Sequence, residues 1–310
     1  MKVLFWGTPA FAIPTLRALD EEGHEVVGVV TQPDRPAGRG RGMAVSPVKQ
    51  VALEMGVPVL QPERARGEEF LAEVRALEPE ISVVVAFGQI LKPEVLELPP
   101  HGSVNVHASL LPELRGAGPI QWAVLHGHPV SGVTIMRMEA GLDSGPMLLR
   151  VEEPIRPDES ATELAARLSE IGAAALVESL AMIENGIAVE IPQDHARATY
   201  APKLDRETAR INWSRPAEEV ARWIRGMDEV PGAWSPLDGR GAVKLFRPSL
   251  EVREGAPGEV LEADDRAGIV VACGDAAVRV REVQPPGKRR MASGEWVRGR
   301  GVAVGDRFGA

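Results

Sequence analysis

The order of apolar and polar positions divides the chain into short apolar runs and stretches with helical spacing. Residues 2–6, Lys-Val-Leu-Phe-Trp, form a compact apolar run that breaks at Gly7-Thr8-Pro9, and residues 10–22 then place Phe11, Leu16 and Leu19 at helical spacing. Residues 25–31 read as a second strand. Strand, helix and strand within about thirty residues predict a right-handed βαβ unit and a parallel sheet, with ligands expected at the carboxyl ends of its strands. Ser46 caps a helix begun by Pro47 and running to about Met55. Residues 57–60 predict a short strand, 66–77 a helix, and 81–86 a strand apolar on both faces, as a central parallel strand is. A further helix starts near Pro93. Residues 102–108 are the next strand, 117–126 a helix, 133–138 and 147–153 paired strands, and 160–183 a long amphipathic helix with Glu163 in its first turns.

The period changes after a connector-like stretch at 185–202. A short helix at 216–227 precedes β runs at 232–237, 241–250, 256–263, 268–273 and 277–284, separated by turn residues; this spacing suggests a small barrel of the oligonucleotide-binding kind. The expected fold is α/β: a doubly wound, mostly parallel sheet followed by a smaller OB-like β-barrel. The expected boundaries are a catalytic domain over 1–188, a linker over 189–204 and a second domain over 205–310.

A chain of 310 residues is long enough for two such domains. The single cysteine, Cys273, excludes an intramolecular disulfide and a cysteine-cluster metal site. The N-terminal apolar run is too short for a signal segment, and no later stretch approaches membrane-spanning length, so a cytoplasmic protein with no membrane association is expected. Net charge is −9, unevenly spread: residues 1–202 hold 16 Lys and Arg against 27 Asp and Glu, and residues 203–310 hold 19 against 17. An acidic balance argues against general nucleic-acid binding, while a locally basic face at Arg279, Arg281, Lys288, Arg289, Arg290, Arg298 and Arg300 leaves room for a specific partner or for a solvated mixed-charge surface.

Residues 102–145 hold the chemistry. Asn105 and His107 interrupt a predicted buried strand, share one of its faces, and must find partners or carry a large desolvation cost. Taken alone they are either satisfied core groups or a reactive pair. Asp143 sits in a loop with glycines on both sides, and Gly88, directly after the central strand, lets a ligand approach the backbone. The loop after the first strand lacks a G-x-G-x-x-G pattern, which weakens a dinucleotide reading. Residues 32–45 are too polar and too rich in Gly and Pro for a regular element and too long for an ordinary connection. The arginines there, Arg35, Arg39 and Arg41, form either a solvated lobe or a contact for phosphates and base edges.

Taken together, NVHASLLP at 105–112, RGAGPIQ at 115–121 and GVTIMRMEAGLDSG at 132–145 closely resemble the formyltransferases and hydrolases that use 10-formyltetrahydrofolate. The resemblance implies that Asn105, His107 and Asp143 are the catalytic triad. It also implies that Phe87, Gly88, Gln89, Ile90 and Leu91, with Ser109, Leu110, Leu111 and Pro112, line the folate site. TQPDRPAGRGRGMAVSPVK at 31–49 looks like the insertion with which methionyl-tRNA formyltransferases enter the acceptor stem, Arg39 matching its recognition arginine and Arg35 and Arg41 flanking it. YAPKL at 200–204 resembles that family's domain junction and places Lys203 near the tRNA. What this implies is formyl transfer from 10-formyltetrahydrofolate to initiator methionyl-tRNA by direct amine attack, without metal or covalent intermediate, in a monomer. A formyl-folate hydrolase and a sugar-nucleotide amine formyltransferase are the alternatives on the same catalytic domain.

Overall fold

The computed structural model describes residues 1–37 and 42–309. The chain divides into two compact units, Met1–Gly116 with Ser131–Pro154 and Ala165–Ala201, and Ala117–Val130 with Ile155–Leu164 and Pro202–Ala310. Each unit therefore draws on several stretches of sequence, whereas a pattern read along the chain gives one contiguous cut.

In the first unit β1 (Lys2–Gly7), α1 (Ile13–Glu21) and β2 (Glu25–Val30) form the expected βαβ unit. Then come β3 (Arg35–Ala37), β4 (Gly42–Ala44), α2 (Pro47–Glu54), β5 (Val59–Leu60), α3 (Glu68–Ala76), β6 (Ile81–Val85), α4 (Pro93–Leu96) and β7 (Ser103–His107). Helix α5 (Pro119–Leu125) falls in the second unit, and β8 (Val130–Arg137), β9 (Met147–Pro154) and α6 (Ala161–Glu184) follow in sequence. The sheet order is β5-β2-β1-β6-β7-β8-β9, parallel from β5 to β7, with β8 antiparallel to β7.

The central strands are buried because both faces of the sheet are covered. Val3, Leu4, Phe5 and Trp6 are all fully buried, and the Trp6 indole N–H donates to Ser82 Oγ at 3.1 Å while its ring meets Phe70 and Phe87 edge-on. The Ser46 hydroxyl accepts the Lys49 backbone N–H at 3.1 Å and Pro47 opens the helix, as the sequence predicts.

One expectation is corrected. The 32–45 stretch contains β3 and β4, which pair antiparallel with Arg35 opposite Ala44. The ladder is three residues a side, with Pro36 opposite Met43 and Ala37 opposite Gly42.

The second unit continues with α7 (Ala217–Gly226), β10 (Trp234–Leu237), β11 (Gly241–Glu251), β12 (Val260–Asp264), β13 (Gly268–Ala272), β14 (Ala277–Gln284), β15 (Met291–Ala292) and α8 (Ser293–Arg298). These strands form an antiparallel sheet ordered β10-β11-β14-β13-β12, with β15 on β14.

Its two edges are joined by residues 306–309. Val260 N donates to Asp306 O and Phe308 N to Gly258 O on one side, and Gly309 N donates to Pro236 O on the other. Closing a sheet removes its unpaired edges. The Phe308 ring is buried 5.7 Å from Trp213, which anchors the closing segment in the unit's core. Phe308→Ala should therefore cost about 3–5 kcal/mol, read as an early thermal transition of the second unit by calorimetry.

Candidate active site

Strand β7 sits between β6 and β8, with Asn105 opposite Val84 and Met136, and His107 opposite Thr134. Asn105 is 9% and His107 5% exposed. The His107 imidazole has a defined tautomer. Its Nε2 lies 3.1 Å from the Leu114 carbonyl oxygen, and a carbonyl only accepts, so Nε2 carries hydrogen.

The other ring nitrogen, Nδ1, then faces Asp143 Oδ2 at 3.8 Å. This gap is too long for a direct hydrogen bond. Asp143 Oδ2 is itself fixed, accepting the Gly116 backbone N–H at 2.8 Å. Among the described residues no protein group hydrogen-bonds the Asn105 side-chain amide, so its donors are available to a ligand.

The loop between β8 and β9 carries Asp143 with φ of 47°, a left-handed conformation that Asp tolerates better than most residues. A Cβ on Gly145 would lie 2.0 Å from the Arg137 carbonyl oxygen, so that position accepts no side chain. Gln193 holds the loop by donating from Nε2 to the Asp143 and Gly145 carbonyls, at 2.9 and 2.7 Å. Gln193 Oε1 accepts from Arg115 Nε and Nη2, at 3.1 and 2.6 Å. Both side chains are buried.

Sequence reasoning assigned no role to Arg115, although it lies inside the quoted RGAGPIQ run, and missed Gln193 altogether. An unperiodic connector gives no local signal that one of its amides reaches a loop fifty residues away. Thr134 was also missed. Its hydroxyl donates to the Ser109 carbonyl at 2.7 Å and accepts from Leu111 N at 3.1 Å, shaping the turn after β7.

The structure brings Asn105, His107 and Asp143 together in one unit. Of the remaining candidates there, Ser109 Oγ donates to the Glu113 carbonyl, and Leu111 and Pro112 are buried beside the partly buried Leu110. In the segment after β6, Phe87 and Leu91 belong to the core. The Phe87 carbonyl accepts from Thr8 Oγ1 and Gln32 Nε2, and Gln89 is held between Ala65 N and the Glu63 carbonyl. Gly88, with φ of 86°, and Ile90 face solvent. Arg35 and Lys203 are exposed, while Arg39 and Arg41 lie outside the described residues.

The formyl transferase model matches residues 1–180, and that for the formyl transferase C-terminal domain matches residues 203–301. The chain belongs to the formyl transferase family. Among curated relatives of this formyltransferase, the methionyl-tRNA formyltransferase of Magnetococcus marinus is 50% identical over 99% of the chain and 98% of its own length. That of Symbiobacterium thermophilum is 49% identical over 99% and 95%. The crystal structure of HypX from Aquifex aeolicus in complex with tetrahydrofolic acid shares the fold at a TM-score of 0.69, with 22% identity over 95% of this chain and 46% of that one.

No thiol competes for the role of nucleophile at this site. Burial, with the Asp275 charge adding to it, pushes the Cys273 thiol up to about 12, so it stays protonated and inert near neutral pH. The native protein should leave Ellman's reagent unreduced at pH 8, and one thiol per chain should titrate once guanidinium unfolds it.

Proposed function

We propose that this formyltransferase transfers the formyl group of 10-formyltetrahydrofolate to the α-amino group of initiator methionyl-tRNA. The observation that carries the chemistry is the facing pair His107 Nδ1 and Asp143 Oδ2, 3.8 Å apart, with Asn105 two residues before His107 on the same face of its strand. Such a site offers donors to an oxyanion on one side and a carboxylate for a proton on the other. The choice of acceptor rests on the full-length similarity to methionyl-tRNA formyltransferases. The donor class rests on the family, whose formyl groups are folate-derived, and on the tetrahydrofolate-bound neighbour.

The amine nitrogen forms a bond to the formyl carbon, and the carbonyl electrons move onto oxygen. Asn105, together with His107 Nδ1 when both ring nitrogens carry hydrogen and Nε2 keeps its bond to Leu114, donates to that oxyanion; such a donor typically contributes about 2.7–4 kcal/mol of transition-state stabilisation. Asp143 receives the proton the amine sheds, directly or through water, and collapse breaks the bond to N10, which takes up a proton as it leaves. Segments 87–91 and 109–112 are the folate-lining elements, with Gly88 and Ile90 the members that face solvent.

An acidic protein must still meet an acidic RNA. Arg35, Arg39, Arg41 and Lys203 are the proposed tRNA contacts. In the second unit, Arg279 is spent on Glu251 and Glu262, and Arg290 on Asp228 and Glu282 while stacking over Phe246. Arg289 lies 3.8 Å from Glu295 and Arg298 donates to the Asp265 carbonyl, so the exposed Arg281, Lys288 and Arg300 are the cations proposed to meet phosphates. The proposal takes the enzyme to act as a cytoplasmic monomer. Among the described residues no helix is long and apolar enough to cross a membrane.

The deciding assay supplies labelled 10-formyltetrahydrofolate with charged initiator tRNA, beside a control without tRNA. Formyl-methionine formed only with charged tRNA is the expected result; equal loss of the formyl group without tRNA would move the chain to the hydrolase alternative. Asp143→Asn should fold normally, because Asn tolerates the left-handed backbone and its Oδ1 still accepts from Gly116 N. Its single-turnover rate should fall by about 10²–10⁴-fold, the contribution of a positioned acid–base group, as measured by rapid quench.

A further inference from the structure

We infer that residues 193–201 form a positioning strap for the catalytic pair, with Gln193 its principal residue. This inference rests on the reading of His107 and Asp143 as the groups that act on the reacting atoms. Three consecutive residues connect those two side chains. Leu114 supplies the carbonyl that receives His107 Nε2, Gly116 supplies the N–H received by Asp143 Oδ2, and Arg115 lies between them. The spacing of Nδ1 and Oδ2 is therefore set by where this tripeptide sits.

The strap fixes the tripeptide from outside. Thr199 Oγ1 accepts from Leu114 N at 2.9 Å and the Thr199 carbonyl from Arg115 N at 2.9 Å, while Ala201 N donates to the Arg115 carbonyl at 2.7 Å. Gly116, with φ of 114°, passes so close that a Cβ would lie 2.8 Å from the Ala201 carbonyl oxygen. Arg115 Nη2 also donates to His195 Nδ1, at 3.0 Å.

Gln193 then joins this arrangement to the Asp143 loop. Its amide oxygen faces the guanidinium, which only donates, and its amide nitrogen faces two carbonyls, which only accept. The partners leave one orientation for the amide, and no other side chain of this length offers both functions. Gln193 and Arg115 are 5% and 4% exposed, so water does not readily replace either. The catalytic carboxylate is thus held at both its ends, at the side chain by Gly116 and at the main chain by Gln193. Neither Gln193 nor Thr199 is assigned a contact with substrate; both act through the groups that have one.

The test is the split between turnover and binding in substituted full-length enzyme. Gln193→Glu keeps the acceptor for Arg115 and removes the donors to the Asp143 and Gly145 carbonyls. It should lower kcat by about 10–100-fold, the scale of a misplacement near 1 Å, with KM for the formyl donor and for methionyl-tRNA within threefold of wild type. Thr199→Val should lower kcat in the same sense and Thr199→Ser, which retains the hydroxyl, should restore it. A folded Gln193→Glu enzyme with wild-type kcat, or one raising KM alone, overturns the inference. If Gln193→Glu does not fold, equal kcat in Thr199→Val and Thr199→Ser overturns it. The wild-type acceptor is measured in the same series. Should the formyl group go to another amine or to water, the reading of the acceptor fails, and the variants' turnover in that reaction still decides the strap.

Discussion

The hydrogen bond from His107 Nε2 to the Leu114 carbonyl is the constraint on which the geometry of the candidate site depends. An imidazole at the end of a buried strand has two nitrogens with opposite chemistry, and their roles exchange with the tautomer. Committing one nitrogen to a main-chain acceptor leaves the other facing Asp143. The rest of the unit keeps that commitment in place. Strand β7 is clamped between a parallel and an antiparallel neighbour, and the turn that follows it is shaped by Thr134. Leu114 is thereby returned to within reach of the ring that precedes it in the chain.

The Asp143 carboxylate is presented differently. It comes from a loop rather than a strand, on a residue in a left-handed conformation. Loops position side chains accurately when their main-chain polar groups are paired. Here the pairing comes from a single amide that also satisfies a buried guanidinium. A buried arginine needs several acceptors and a loop needs donors, and one glutamine serves both.

Local information decided what was legible in the sequence. The βαβ start, the apolar strand at 81–86, the Ser46 cap and the polar interruptions at Asn105 and His107 each rest on spacing within a few residues, and the structure has each of them, with that strand ending one residue earlier at Val85. The run of short strands in the second unit was legible for the same reason. The short hairpin of β3 and β4 was not, because three-residue strands leave no period. Arg115 was visible as part of a family-like run but silent about its partner, since Gln193 lies in a connector without pattern. The joining of the second sheet's edges by residues 306–309 was equally hidden, because what recommends those residues is the two strands they meet.

That joining has a consequence for synthesis of the protein. Strands β10 and β12 leave the ribosome with free edges, and the residues that pair with both arrive after every other strand of the sheet. The second unit thus spends the interval as an open sheet whose unpaired groups are exposed to neighbouring chains. Closure also brings residues 236 and 309 together, a contact of long sequence separation that slows the final ordering step. A nascent chain can organise its first sheet early, while its second sheet cannot close until residue 309 has emerged.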